Sequence, residues 1–312
     1  MEIPAKPRQK GRSMQKRQFA TACLVCALLT LVFTVTAQAS ANRTYVSTHG
    51  NDANTAVNCS ASANCRTFAA ALSVTNPGGE IIVVNSGSYG PATISQPVSI
   101  TAIGIVASIL ATSGNALTIS TIGNVNLTGL SLDGHGAGTD GILVSEVGFL
   151  RLYNMSIQKF KNDGIEFDAA SGNLAVYNSI VNDNGNDGLL FASSANAYVN
   201  GTSFDGNKSA GCESSTGNMT VVDSTAHING IGFYAAGGTL SLDNDRVIFN
   251  GTGLEASSTG HLYFARCLVT NSTTDSYNVA SGGVLSGTDP GTTLITPGQS
   301  SIGTPAAATP LN

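Results

Sequence analysis

Three aspartates carry the first chemical suggestion in this sequence. Asp140, Asp163 and Asp187 each stand immediately before a glycine, 23 and 24 residues apart. If the chain repeats with that period, the three carboxylates line up about 5 Å apart from one to the next. Aligned carboxylates repel one another unless a cation, solvent or a raised pKa relieves them, and the ion that such oxygens hold is a hard one, Ca2+. Lys159 and Lys161 lie in the same periods, beside Arg151, and are the candidates for a general base or for clamps on an acidic substrate. Glu166 and Asp168 alternate along the stretch after Gly164, so both face outward beside the column. Aspartate before glycine is also ordinary turn chemistry, and the column breaks at Ala210, so a purely structural role competes with the catalytic one.

Other reactive residues form no constellation. His49, His227 and His261 are scattered, and no Cys/His cluster has zinc-ligand spacing. Cys59 and Cys65 close a short loop in a polar segment, and in an exported chain they are expected as a disulfide. Cys212 and Cys267 sit at apolar positions and read as small core residues.

The elements that must position these residues come from a repeat. A glycine followed by an apolar residue recurs as Gly141-Ile142, Gly164-Ile165, Gly188-Leu189, Gly211-Cys212, Gly232-Phe233 and Gly253-Leu254, with Ser276-Tyr277 as a degenerate seventh. The steps are 23, 24, 23, 21, 21 and 23 residues, a period that marks a solenoid of stacked coils. Short alternating stretches, such as Leu150 to Tyr153 and Leu174 to Tyr177, read as strands. After them come Asn154, Asn178, Asn200, Asp223 and Asp243, a column expected to form an amide ladder from coil to coil. A leucine-rich repeat shares the period but needs a recurring Leu framework and helical segments, and no 3.6-residue period is visible. The segment from Thr67 to Val74 is the exception. It reads as a short amphipathic helix that caps the open end of the solenoid together with the Cys59 to Cys65 loop.

Ahead of all this lie Lys6, Arg8, Lys10, Arg12, Lys16 and Arg17, an apolar run from Phe19 to Val35, and Ala37-Gln38-Ala39. That order is a signal peptide over residues 1–39, and the protein is expected to be secreted or extracytoplasmic with no membrane span after cleavage. The β-helix is expected over residues 40–288, its cap over about 44–78, and an irregular tail over 289–312. Loss of the leader removes six of the fourteen Lys and Arg and one of the nineteen acids, leaving eight basic residues against eighteen acidic, a net charge of minus ten. Such a surface repels nucleic acid. Charge is scarce and aliphatics are plentiful, which excludes a disordered chain.

The opening Tyr45-Val46-Ser47, Gly50-Asn51-Asp52, Cys65-Arg66-Thr67-Phe68, Gly78-Gly79-Glu80-Ile81 and Ser86-Gly87-Ser88-Tyr89-Gly90, with Asn-Asp-Gly at 162–164 and 186–188, resembles exported proteins of the pectate-lyase-like superfamily. The resemblance implies an all-β fold, a single-stranded right-handed parallel β-helix. Lyases of that group pair a basic residue with calcium held by acidic side chains, which would cast Lys159 or Lys161 beside Asp140, Asp163 and Asp187. Gly134-His135-Gly136 resembles the Gly-His-Gly of polygalacturonases, but the aspartate and basic motifs that should flank it are missing. Fold does not fix chemistry. The leading expectation is a non-catalytic surface for extracellular polysaccharide or cell envelope, and the alternative is a lyase or glycoside hydrolase acting on acidic polysaccharide.

Overall fold

The computed structural model describes residues 1–2, 40–280, 282–287 and 293–295. The expected signal peptide and most of the expected tail lie outside them. No helix among the described residues is long and apolar enough to cross a membrane. The coils belong to one compact unit, Ala39–Asn312.

That unit is a right-handed parallel β-helix. Each coil lays down one strand in each of three sheets, and every strand pairs with its counterpart one period away. Sheet 1 holds eleven strands among the described residues, from Ala41–Val46 to Val284–Gly287. Sheet 2 holds ten, from Gly87–Ser88 to Thr293–Ile295, and sheet 3 holds nine, from Ala92–Ile94 to Asp275–Val279. The strand at Thr293–Ile295 pairs with Leu268–Thr270 and lies within the stretch expected to be irregular.

The alternation read from the sequence becomes the inside and outside of the coils. Leu150 pairs with Leu174 and Leu152 with Val176, all four buried, while Arg151 and Tyr153 between them face outward. Column by column the interior is apolar: Ile157, Val181, Phe204, Ala226, Val247 and Val269 stack down sheet 2. Large and small residues trade places between columns, so Phe204 meets Phe233 edge-on where its own column thins to Ala226. Cys212 and Cys267 are free and buried in this interior.

In the six coils from Asn154 to Arg266 the turn between sheets 1 and 2 is two residues long, and its first residue takes a left-handed backbone: Asn154, Asn178, Gly201, Asp223, Asn244 and Arg266. The expected asparagine column is therefore corrected in two ways. Asn200 and Asp243 are the last strand residues, one place early, and the column supplies tolerance of positive φ instead of a chain of amide bonds. The coil-to-coil bonds come from the next residue: Met155 N–H donates to Ser179 Oγ at 3.1 Å, Thr202 N–H to Ser224 Oγ at 3.2 Å, and Ser224 N–H to Asp245 Oδ1 at 2.7 Å.

An amide ladder does exist, at the next corner. Asn184, Asn207, Asn229 and Asn250 are buried to 3 % exposure or less. Asn184 Nδ2 donates to Asn207 Oδ1 at 2.9 Å, Asn207 Nδ2 to Asn229 Oδ1 at 3.0 Å, and Asn229 Nδ2 to Asn250 Oδ1 at 3.1 Å. Each of these oxygens also accepts the backbone N–H of the preceding coil, as in Phe160 to Asn184 and Asn184 to Asn207. The marker glycines serve this ladder. A Cβ on Gly164 or Gly188 would come within 2.8 Å of the Asn184 or Asn207 Nδ2, so the amide fits only against glycine.

The expected cap forms. The helix Phe68–Val74 starts at Thr67, whose hydroxyl accepts Ala70 N–H. The Cys59–Cys65 disulfide closes its loop, with a Cα separation of 4.9 Å. That loop occupies the free edge of the first strand: Tyr45 N–H donates to Cys59 O, Cys65 N–H to Tyr45 O, and Ser47 N–H to Cys65 O, at 2.8 to 3.0 Å. An edge so paired cannot recruit another chain. Asp52 ties the loop to the helix, its carboxylate accepting Arg66 N–H, Thr67 N–H and Thr67 Oγ–H at 2.8 to 3.0 Å. We expect Asp52→Ala to cost about 1 kcal/mol and to lower the melting midpoint in a circular dichroism melt. An unchanged midpoint would remove Asp52 from the cap.

Candidate functional site

The aspartate column follows the asparagine ladder along the chain and stands two residues before the strands of sheet 3. Asp140, Asp163 and Asp187 are 3 %, 5 % and 2 % exposed, so the column is buried and does not splay into solvent. It is a third ladder. Asp140 N–H donates to Asn115 Oδ1, Asp163 N–H to Asp140 Oδ1, Asp187 N–H to Asp163 Oδ1 and Ala210 N–H to Asp187 Oδ1, at 2.7 to 3.2 Å. Asn186 Nδ2 adds a second donor to Asp163 Oδ1 at 2.8 Å.

Burial dominates the electrostatics of this column. It raises all three carboxyls, and Asp163 is pushed up to about 7, the neighbouring charges of Asp187 and Asp140 adding to the rise while backbone and amide donors oppose it. Outside the column, sheet 3 presents Glu166, Leu190, Glu213, Tyr234 and Glu255 in turn, acidic and uncharged side chains alternating from coil to coil. Burial raises Glu166, Glu213 and Glu255 as well. Asp168 stays exposed.

Among the described residues, the carboxylates that converge are Asp140, Asp163 and Glu166, with one oxygen from each inside a 4.8 Å span. Asp187 is not in that group. A calcium ion takes six to eight oxygens, and one oxygen of each aspartate already accepts a backbone N–H. The chain thus offers a partial set that water or substrate oxygens would have to complete.

Lys159 and Lys161 stand elsewhere. Neither makes an ion pair with the column; the ion pairs among the described residues are Arg43–Glu80, His227–Asp205 and Arg266–Asp243. Instead Lys159, Lys161 and Lys208 line one pocket of about 470 Å³ at the corner between sheets 2 and 3, with His135, Phe160 and Asp183. These three are every lysine beyond residue 39. Backbone bonds place Lys161, Gly185 and Lys208 at one position on three successive coils, so the two lysines stand roughly 10 Å apart. Gly185 leaves the notch between them: a Cβ there would strike the Lys161 carbonyl. Sequence reasoning missed Lys208 because its spacing to Lys161 spans two coils, and only the register relates them.

His135 of the Gly-His-Gly stretch lines the same pocket in a left-handed turn, held by Asp133 Oδ1 at its N–H. His49 lies beside Asn85, and His227 pairs with Asp205.

The arrangement is a right-handed parallel β-helix carrying a lysine-lined corner pocket and a buried acidic ladder. Neither a family model nor a curated protein matches the chain. In the solved structures, the chain is similar to the crystal structure of pectate lyase Pel9A, with a TM-score of 0.57 at 16% identity, covering 85% of this chain and 83% of that one. A rhamnogalacturonan lyase aligns with a TM-score of 0.30 at 13% identity, over 73% and 74% of the two chains. The first likeness establishes the fold.

Proposed function

We propose that the protein is a secreted or extracytoplasmic β-helix that holds an acidic polysaccharide at the pocket of Lys159, Lys161 and Lys208 without cleaving it. The observation that carries this reading is the gathering of all three lysines beyond the leader around one notch, none spent on an ion pair among the described residues. Two lysines whose backbones stand roughly 10 Å apart, with a gap between them, suit a polymer that presents carboxylates at intervals. The rest of the molecule is acidic, which opposes unspecific adhesion of the same polymer and favours a seat at the pocket. The disulfide suits an oxidising compartment, and the leader over residues 1–39 would deliver the chain there. Pel9A, by its name, acts on pectate.

The second reading is a lyase, and the convergence of Asp140, Asp163 and Glu166 favours it. One experiment separates the two. Electrophoresis through gels containing polygalacturonate should retard the native protein, and the Lys161→Ala/Lys208→Ala double variant should lose about tenfold in affinity. Incubation with the polymer, with and without millimolar calcium, should release no unsaturated ends. Calcium-dependent unsaturated ends that vanish in Asp163→Asn would establish the lyase in its place.

A further inference from the structure

We propose that the outer face of sheet 1 around Tyr198 is a second glycan-binding surface, one that takes uncharged sugars by stacking and amide hydrogen bonds. The outward positions of four successive coils there are Asn124, Asn126 and Thr128; Phe149, Arg151 and Tyr153; Asn173, Ala175 and Tyr177; and Asn196, Tyr198 and Asn200. No carboxylate stands among these twelve, in a chain whose acids outnumber its bases more than twofold beyond the leader. The composition is amide, phenol and hydroxyl with a single guanidinium, one phenyl ring at Phe149 and one methyl at Ala175, which is buried.

The aromatic rings are arranged unequally. Tyr153 and Tyr177 stack nearly parallel, with centroids 4.8 Å apart and planes at 6°, so each covers a face of the other. Tyr198 breaks the row: it tilts 51° from Tyr177 at 5.9 Å and is 38 % exposed. Its outward neighbours on the adjoining coils are Ala175 and Thr220, both too small to cover a ring. Tyr177 touches one side of the ring, and much of the rest stays accessible to solvent. On its own strand Asn196 and Asn200 flank it two residues away on either side, about 7 Å along the chain. An exposed ring between two amides matches a pyranose, whose axial C–H face is apolar and whose rim carries hydroxyls. Two coils away in the same column, the Arg151 guanidinium lies 3.7 Å from the Phe149 ring centre and joins no ion pair among the described residues, so it adds a fork of donors to the same face.

A protein partner would call for a continuous apolar patch, and here amides stand beside Phe149, Tyr177 and Tyr198, and a hydroxyl and a guanidinium beside Tyr153. The lysine pocket lies at the corner of sheets 2 and 3, so the two surfaces fail or stand independently.

Affinity electrophoresis of the whole protein against galactan, arabinan, xylan, mannan and mixed-linkage glucan tests the proposal, with tyrosine emission as a second readout. Tyr emission is unobscured because the chain has no tryptophan. At least one of these neutral polymers should retard the native protein and alter its emission. Tyr198→Ala should weaken that binding about tenfold, Tyr198→Phe should keep it, and Tyr263→Ala, on the same sheet three coils on, should leave it unchanged. The Lys161→Ala/Lys208→Ala variant should bind neutral polymer as the native protein does. Retardation of the native protein by none of the five polymers would overturn the proposal, as would equal binding by native protein and a folded Tyr198→Ala.

Discussion

Asp163→Asn is expected to stabilise the protein by roughly 2 to 4 kcal/mol at pH 8 and to change little at pH 4. The sign follows from the buried carboxyl, whose pKa is raised to about 7 in the fold. Between the ordinary aspartate value and 7, the folded chain keeps a proton that the unfolded chain has released. Stability from this group is therefore complete at low pH, falls as pH rises towards 7, and stays low above it. Asparagine preserves the acceptor that Oδ1 offers to Asp187 N–H and Asn186 Nδ2, and Asn115 already occupies the same column one coil before Asp140. It carries no charge to bury. Urea titrations of both proteins at pH 4, 6 and 8 measure the difference, and a difference that does not grow with pH would mean the carboxyl is not penalised by burial. Calcium adds a second use: if the ion binds Asp140, Asp163 and Glu166, millimolar calcium at pH 8 should narrow the gap by stabilising the native protein alone.

Asn207→Ala should act in the opposite direction and cost roughly 3 to 5 kcal/mol. Its carbonyl oxygen accepts two donors, Asn184 N–H and Asn184 Nδ2–H, and its amide donates to Val181 O and Asn229 Oδ1. All of these groups are in the interior, where water cannot replace the lost partner. Chemical denaturation at constant pH is the measurement. A loss under 1 kcal/mol would show that neighbouring coils close over the gap. Asn207→Asp should also destabilise, since it removes the donor and adds a charge to a buried position.

These two residues show what the sequence disclosed and what it hid. The coils were legible because Gly141, Gly164, Gly188, Gly211, Gly232 and Gly253 recur at a near-constant step, and the structure gives the reason: a Cβ at any of them would strike a backbone carbonyl of the next coil, and at Gly164, Gly188, Gly211 and Gly232 the ladder amide as well. The amides themselves were not legible. Asn184 and Asn207 precede their glycines by four residues but Asn229 and Asn250 by three, because the loop shortens, and asparagine is too common in this chain for an irregular spacing to stand out. The aspartate column was visible as a column, but its burial was not, since Asp before Gly reads as an exposed turn. Strand pairing turns it inward enough to bond the next coil. Lys159 and Lys161 stand out together in the sequence, and Lys208 does not. Their shared pocket depends on Gly185 as much as on any lysine, and an absent side chain leaves no mark in a search for reactive groups.

The three ladders share one rule: each residue bonds to its equivalent one coil away. A coil of about 23 residues can therefore be duplicated or deleted in evolution without inventing a new contact, provided the insertion starts and ends at the same position of the repeat. Length becomes a freely adjustable trait, and every outward column lengthens with it, so a descendant with more coils would gain reach along a polymer by copying what it already has.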